Sequence, residues 1–155
     1  MAYKVWIVDD EEIVCRGLAQ FVKWQEHGFV VAGIANSVDE ALLQLEHAEA
    51  DVIFLDIRMP GKTGLDMLQI LRKSRPGVKT VILSGFSEFS YAREAIRYGA
   101  VDYLTKPVNL KEVEALLERL KEEFEKEEGK FDYKLLEEHV DQAKQHRVKL
   151  LLVWF

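Results

Sequence analysis

The stretch Asp51-Val52-Ile53-Phe54-Leu55-Asp56-Ile57-Arg58-Met59-Pro60-Gly61 decides the fold. Val52 to Leu55 are apolar with no polar residue alternating between them. Successive side chains of a strand point to opposite faces, so such a run describes a strand buried on both sides. The run stops at a carboxylate, Asp56, and Pro60-Gly61 marks the loop that follows. Runs of the same character recur: Val5-Trp6-Ile7-Val8, Phe29-Val30-Val31-Ala32, Thr80-Val81-Ile82-Leu83 and Val101-Asp102-Tyr103-Leu104. Between them, apolar residues are spaced by three and four: Val14, Leu18, Phe21 and Val22; Val38, Ala41, Leu42 and Leu45; Leu65, Leu68 and Leu71; Phe89, Ala92 and Ile96. That spacing puts each set on one helical face. Five β/α units predict an α/β fold, a parallel sheet covered by helices on both sides.

Gly28, Gly77 and Gly99 stand where helices should end before a strand. A fifth helix is expected from about Asn109, its N-cap, with Val113, Leu116, Leu117, Leu120 and Phe124 on the apolar face and Glu122 to Glu128 in solvent. Gly129 breaks this pattern, so residues 1–128 are expected to form one domain and 129–155 a helical linker. The linker would carry Leu135, Leu136, His139, Val140 and Ala143 on one face. Its apolar end, Leu150 to Phe155, suggests that the natural protein continues or that the tail packs on a partner.

The bulk numbers exclude several classes of function. A formal net charge of −6 offers no basic surface for phosphate backbones, so DNA contact would need another domain. The single cysteine, Cys15, has no intramolecular partner, and the chain enters its first strand without a leader. Both point to a reduced, cytoplasmic setting. No apolar stretch approaches the roughly 20 residues of a membrane helix. His27, His47, His139 and His146 show no metal-ligand spacing with the cysteine.

The chemistry sits at the strand ends. Ligands of open α/β sheets bind outside the carboxyl ends of the strands. Asp9-Asp10, Asp56, Ser84 and Lys106 end or follow strands one, three, four and five. Singly, Asp9-Asp10 reads as a helix cap, Asp56 and Ser84-Gly85 as turn residues and Lys106 as a solvated surface lysine. Together they converge on one edge. Three carboxylates repel one another, so a divalent cation is the natural way to hold them, and an all-oxygen ligand set favours Mg2+. Asp56 can then attack a phosphoryl donor, with the cation and Lys106 neutralising the phosphoryl oxygens.

Four motifs carry a resemblance: Val8-Asp9-Asp10-Glu11, Leu55-Asp56-Ile57-Arg58-Met59-Pro60-Gly61, Leu83-Ser84-Gly85 and Tyr103-Leu104-Thr105-Lys106-Pro107. Over roughly residues 3–126 the chain resembles the receiver domain of two-component response regulators. The resemblance implies a flavodoxin-like, doubly wound five-stranded sheet in the order 2-1-3-4-5, and phosphorylation of Asp56 by a sensor histidine kinase. It implies metal contact from Asp10, Asp56 and the Arg58 carbonyl with Asp9 in support, and a cis Lys106–Pro107 peptide. Ser84 would bind the phosphoryl group and Tyr103 would turn inward as the switch. Arg58 and Phe86 flank the phosphoryl group in such domains and would tune its hydrolysis. Strand four, the helix of residues 87–98, strand five and the last helix would form the dimerisation or output face. Such a chain is a phosphoacceptor regulator that assists its own phosphoryl transfer and dephosphorylation, not an enzyme.

Two further stretches, Phe21 to Phe29 and Ser84 to Ile96, resemble regulators whose output domain is an AraC-type helix-turn-helix. Trp24 in the first is equally explained as a core aromatic at a helix end. A haloacid-dehalogenase-like phosphatase would need an Asp-x-Asp pattern after the first strand, and a nucleotide-binding module a glycine-rich first loop; Asp9-Asp10-Glu11-Glu12 is neither. A phosphorylation-independent interaction module of receiver-like fold remains the competitor.

Overall fold

The computed structural model describes residues 2–85 and 88–129. In chain order the elements are β1 (Tyr3–Val8), α1 (Glu12–Phe21), a 3-10 turn (Trp24–His27), β2 (Phe29–Ala35), α2 (Val38–Leu45), β3 (Val52–Asp56), α3 (Gly64–Ser74), β4 (Lys79–Ser84), α4 (Phe89–Arg97) and β5 (Asp102–Thr105). The chain divides into two compact units, Met1–Leu117 and Glu118–Phe155. Residues 110–117 close the first unit with a helix, α5, and residues 118–129 of the second are also helical. The helix expected around Leu135 to Ala143, the apolar end at 150–155 and the side chain of Phe86 lie outside the described residues.

The sheet is wholly parallel and ordered β2-β1-β3-β4-β5, the order the resemblance implied. Every residue of β3 is buried, as are the last four of β1 and the last five of β4. This is why these three sequences show no alternation: they form the middle of the sheet, with helices on both faces. At the edge, β2 is buried only at its ends, and Val30 and Ile34 are exposed. Its pairing with β1 slips between Val5 and Trp6. Gly33 lies under the Trp6 ring there, which a β-carbon would meet at 2.4 Å, so only glycine fits.

The helices attach as the punctuation suggests. Ser37 caps α2 and Thr63 caps α3, the latter with a full capping box closed by Asp66. The Asn109 side chain accepts from the Lys111 and Glu112 N–H groups at 2.9 and 3.4 Å, the expected cap of α5. Gly28 and Gly99 take φ of 83° and 100°, the left-handed turn that ends a helix before a strand.

Two helical faces differ from the spacing argument. In α1 the buried residues are Cys15 and Leu18, while Phe21 is 62% exposed and Val14 only half-buried. The inward face is rotated toward Cys15, a small apolar side chain whose burial brings the helix close to the sheet. In α4 only Ala92 and Ala95 are buried, and Phe89 and Ile96 point outward. Small residues again set the close contact, leaving the large ones on the surface.

Candidate functional site

Register brings the acids together before any side chain is considered. Val8 pairs with Leu55 across β1 and β3, so the next residues on each strand, Asp9 and Asp56, are neighbours at the carboxyl edge. Asp56 pairs with Leu83, and Ser84 with Thr105, which puts Ser84 and Lys106 at the same edge. The Lys106 N–H donates to the Ser84 carbonyl at 2.7 Å, joining the last two strand ends. The Lys106–Pro107 peptide is cis.

Asp9, Asp56 and Ser84 are among the few buried polar residues in the described part of the chain, at 0%, 3% and 2% exposure. Burying ionisable groups is costly without partners, and polar burial concentrated at one sheet edge points to chemistry there. The Lys106 ammonium reaches into this cluster. It stands 2.8 Å from Asp9 Oδ2, 3.0 Å from Glu11 Oε1 and 3.4 Å from Asp56 Oδ2. That Asp9 oxygen is buried and ion-paired, with no hydrogen-bond donor satisfying it.

The charges are strongly perturbed. Burial pushes the Asp56 carboxyl up to about 8, the Asp9 charge and the Asp10 carboxyl add to the rise, and Lys106 and the Arg58 N–H oppose it. Burial works to lower the Lys106 pKa, but the acids Asp9, Glu11 and Asp56 outweigh it and hold the ammonium above the ordinary lysine value. Among the described residues, carboxylate oxygens of Asp9, Glu11 and Asp56 lie within 4.8 Å of one another, a group that could hold a metal ion. The buried Asp9 oxygen that lacks a donor, beside the buried Asp56 carboxyl, makes a set of hard oxygen donors that fits a divalent cation. Asp10 is exposed at the rim and Arg58 donates its N–H to Asp56 Oδ1 at 3.4 Å.

Around the core, the structure adds residues that the strand-end argument did not name. The Asp9 carbonyl accepts from Asn36 Nδ2 at 3.0 Å and from the Cys15 thiol at 3.4 Å, and burial pushes that thiol up to about 11. Asn36 follows β2, so the rule that found Asp9 and Lys106 would also have found it. Glu88 accepts from the Gly85 N–H at 2.9 Å and places its other oxygen 3.8 Å from Arg58 Nε. Arg58 also lies over the Tyr91 ring, 5.7 Å from its centroid. Tyr103 is half-buried beside β4, with its ring edge-on to Phe89 at 6.0 Å.

The family model for the response regulator receiver domain matches residues 5–118. Over 126 residues the chain is 34% identical to the uncharacterized transcriptional regulatory protein YesN of Bacillus subtilis, covering 81% of this chain and 34% of that protein. Over 118 residues it is 35% identical to the transcriptional regulatory protein HptR of Staphylococcus aureus, covering 76% and 46%. The chain thus spans between a third and a half of the length of these relatives. Among solved structures, it matches the receiver domain of AraT, a response regulator from Geobacillus stearothermophilus, with a TM-score of 0.77 and 37% identity. That match covers 83% of this chain and 99% of the other. With the family match extending over most of its length, this chain belongs to the response regulator receiver domain family.

Proposed function

We propose that the chain is a phosphorylation-activated switch in which Asp56 accepts a phosphoryl group from the phosphohistidine of a sensor histidine kinase. The single observation that carries this reading is the position of Asp56: buried, at the carboxyl end of the central strand, and facing the Lys106 ammonium at 3.4 Å. An Asp56 oxygen forms the new O–P bond while the P–N bond of the donor breaks, its electron pair returning to the imidazole nitrogen. Lys106 neutralises a phosphoryl oxygen as charge redistributes. Asp10, Asp56 and the Arg58 carbonyl would hold Mg2+, with Asp9 in support. The bound ion would supply positive charge to the carboxylates and to the phosphoryl oxygens.

The same reading assigns the readout. The Ser84 hydroxyl, buried at the end of β4, hydrogen-bonds the new phosphoryl oxygens and draws the β4–α4 loop toward the site. Tyr103 then turns into the space vacated, changing the surface of β4, α4, β5 and α5. Exposed Phe89, Tyr91 and Ile96 on α4 give that surface the apolar character of a homodimer or output contact. Arg58 and Phe86 tune the lifetime of the phosphoryl group by restricting the water that would remove it. The output is transcription through an AraC-type helix-turn-helix, supported by the stretches Phe21–Phe29 and Ser84–Ile96 and by relatives that are transcriptional regulators. Residues 129–155 lead toward that domain, which makes the DNA contact.

Mass measurement after incubation with phosphoramidate and Mg2+ tests the switch. One added phosphoryl group is expected, and none in Asp56→Asn. An unmodified wild-type chain would leave a phosphorylation-independent interaction module as the function.

A further inference from the structure

We infer that Glu11 is a positioning residue for phosphoryl transfer: in the resting protein its carboxylate holds the Lys106 ammonium away from Asp56, and Lys106 leaves it for the incoming phosphoryl group. The inference rests on Asp56 being the phosphoacceptor. Three observations carry it.

First, Lys106 is not centred on Asp56. Asp56 Oδ2 is the most distant of its three acidic partners, at 3.4 Å, and Glu11 Oε1 at 3.0 Å is the one that accepts a hydrogen bond from it. Second, Glu11 occupies the N-cap of α1 yet makes no side-chain cap there. Ser, Thr, Asp and Asn are preferred at that position because their short side chains reach the free N–H groups of the first turn. A residue that gives up this local role for a contact 95 positions away in sequence breaks a local rule, and such departures concentrate at functional sites. Third, the two acids that grip Lys106 differ in their access to water. Asp9 is fully buried and cannot be rehydrated, whereas the Glu11 side chain is 55% exposed. An ammonium drawn toward a new phosphoryl group therefore leaves Glu11, which water resolvates, and keeps Asp9.

Glu11 thus sets how readily Lys106 is delivered. Neutralising it removes the contact that competes with Asp56 for the ammonium. Because Glu11 acts through Lys106, the effect should vanish when the lysine is absent.

The experiment is a double-mutant cycle on the 155-residue chain, with Glu11→Gln, Lys106→Ala and the pair. Phosphoryl uptake from phosphoramidate at saturating Mg2+ is followed by mass; in that reaction the Asp56 oxygen bonds phosphorus, the P–N bond breaks and the nitrogen departs as ammonia. Glu11→Gln should accelerate uptake several-fold when Lys106 is present and leave the rate unchanged in the Lys106→Ala chain. An acceleration of the same size in both backgrounds, or none in either, overturns the inference. The second readout needs neither metal nor donor: urea midpoints of the metal-free variants should be non-additive, and additive shifts would also overturn it. Failure of the wild-type chain to take up phosphate sinks the assignment of Asp56 instead, and the midpoints then still decide whether Glu11 holds Lys106.

Discussion

A β-carbon on Gly64 would stand 2.4 Å from the Asp56 carbonyl oxygen and 2.8 Å from the Ile57 α-carbon. The first residue of α3 is therefore pressed against the backbone of Asp56, and its N–H donates to the Ile57 carbonyl at 2.9 Å. Neither neighbouring atom belongs to a flexible side chain, so any larger residue must move the β3–α3 loop.

Gly64→Ala should accordingly destabilise the protein by about 1–3 kcal/mol, despite the better helix propensity of alanine. The displaced backbone is that of Asp56, so phosphoryl uptake should also slow, by more than the loss of folded protein accounts for. Urea titration and uptake measured at a temperature where both chains are folded check the two effects separately. An alanine variant as stable and as reactive as the wild type would show that the loop yields freely.

The raised Asp56 pKa gives a pH dependence whose sign is fixed. With a folded pKa of about 8 against an ordinary 3.8, the carboxyl contributes its full stability below about pH 4. That contribution declines as the unfolded chain releases a proton that the fold retains, and it is gone above about pH 8. Asp56→Asn, which stays neutral throughout, should match the wild type near pH 4 and be clearly the more stable at pH 8 in metal-free buffer. Denaturation midpoints across that range test this, and a difference independent of pH would contradict the burial argument.

Much of this was written in the local sequence, and the rest was not for physical reasons. The run Val52 to Leu55 announced a buried central strand because both its faces are covered, and Asp9, Asp56, Ser84 and Lys106 were found because each ends or follows such a run. The α1 face was misread at Phe21 because spacing cannot tell which of two adjacent stripes faces the sheet when a small residue, Cys15, sets the approach. Gly64, Asn36 and Glu88 were passed over because their roles depend on where loops place backbone atoms. Glu11 reads locally as one of four consecutive acids after β1. Its partner Lys106 lies at the far end of the fold's sequence, and nothing local pairs them.

Cation binding should appear as stability. The buried Asp9 Oδ2 has no hydrogen-bond donor, and burial, reinforced by Asp9 and Asp10, raises the Asp56 pKa, so a divalent cation relieves both strains in the folded state alone. At a concentration 100 times its dissociation constant, Mg2+ should add about 2.7 kcal/mol, and chelation should remove it. In Asp9→Asn the gain should shrink markedly, since one buried charge that opposes Asp56 is gone. Thermal melts with and without the ion test this; a gain equal in both chains would exclude Asp9 from the cation's surroundings.

Tyr103 gives the most direct test of the proposed switch. It sits half-buried on β5, next to β4, and its ring meets exposed Phe89 of α4 edge-on at 6.0 Å. Edge-to-face pairs of this kind are worth roughly 0.5–1.5 kcal/mol beyond burial, a size that a phosphoryl-driven shift of the β4–α4 loop can overcome. If Tyr103 turns inward when Ser84 moves, Phe89 loses its partner and the α4 surface changes. Tyr103→Ala should then blunt any phosphorylation-dependent gain in self-association far more than it slows phosphoryl uptake. Sedimentation of matched phosphorylated and unphosphorylated samples gives the comparison. If phosphorylation shifts self-association equally in Tyr103→Ala and wild type, the signal reaches α4 without this ring pair.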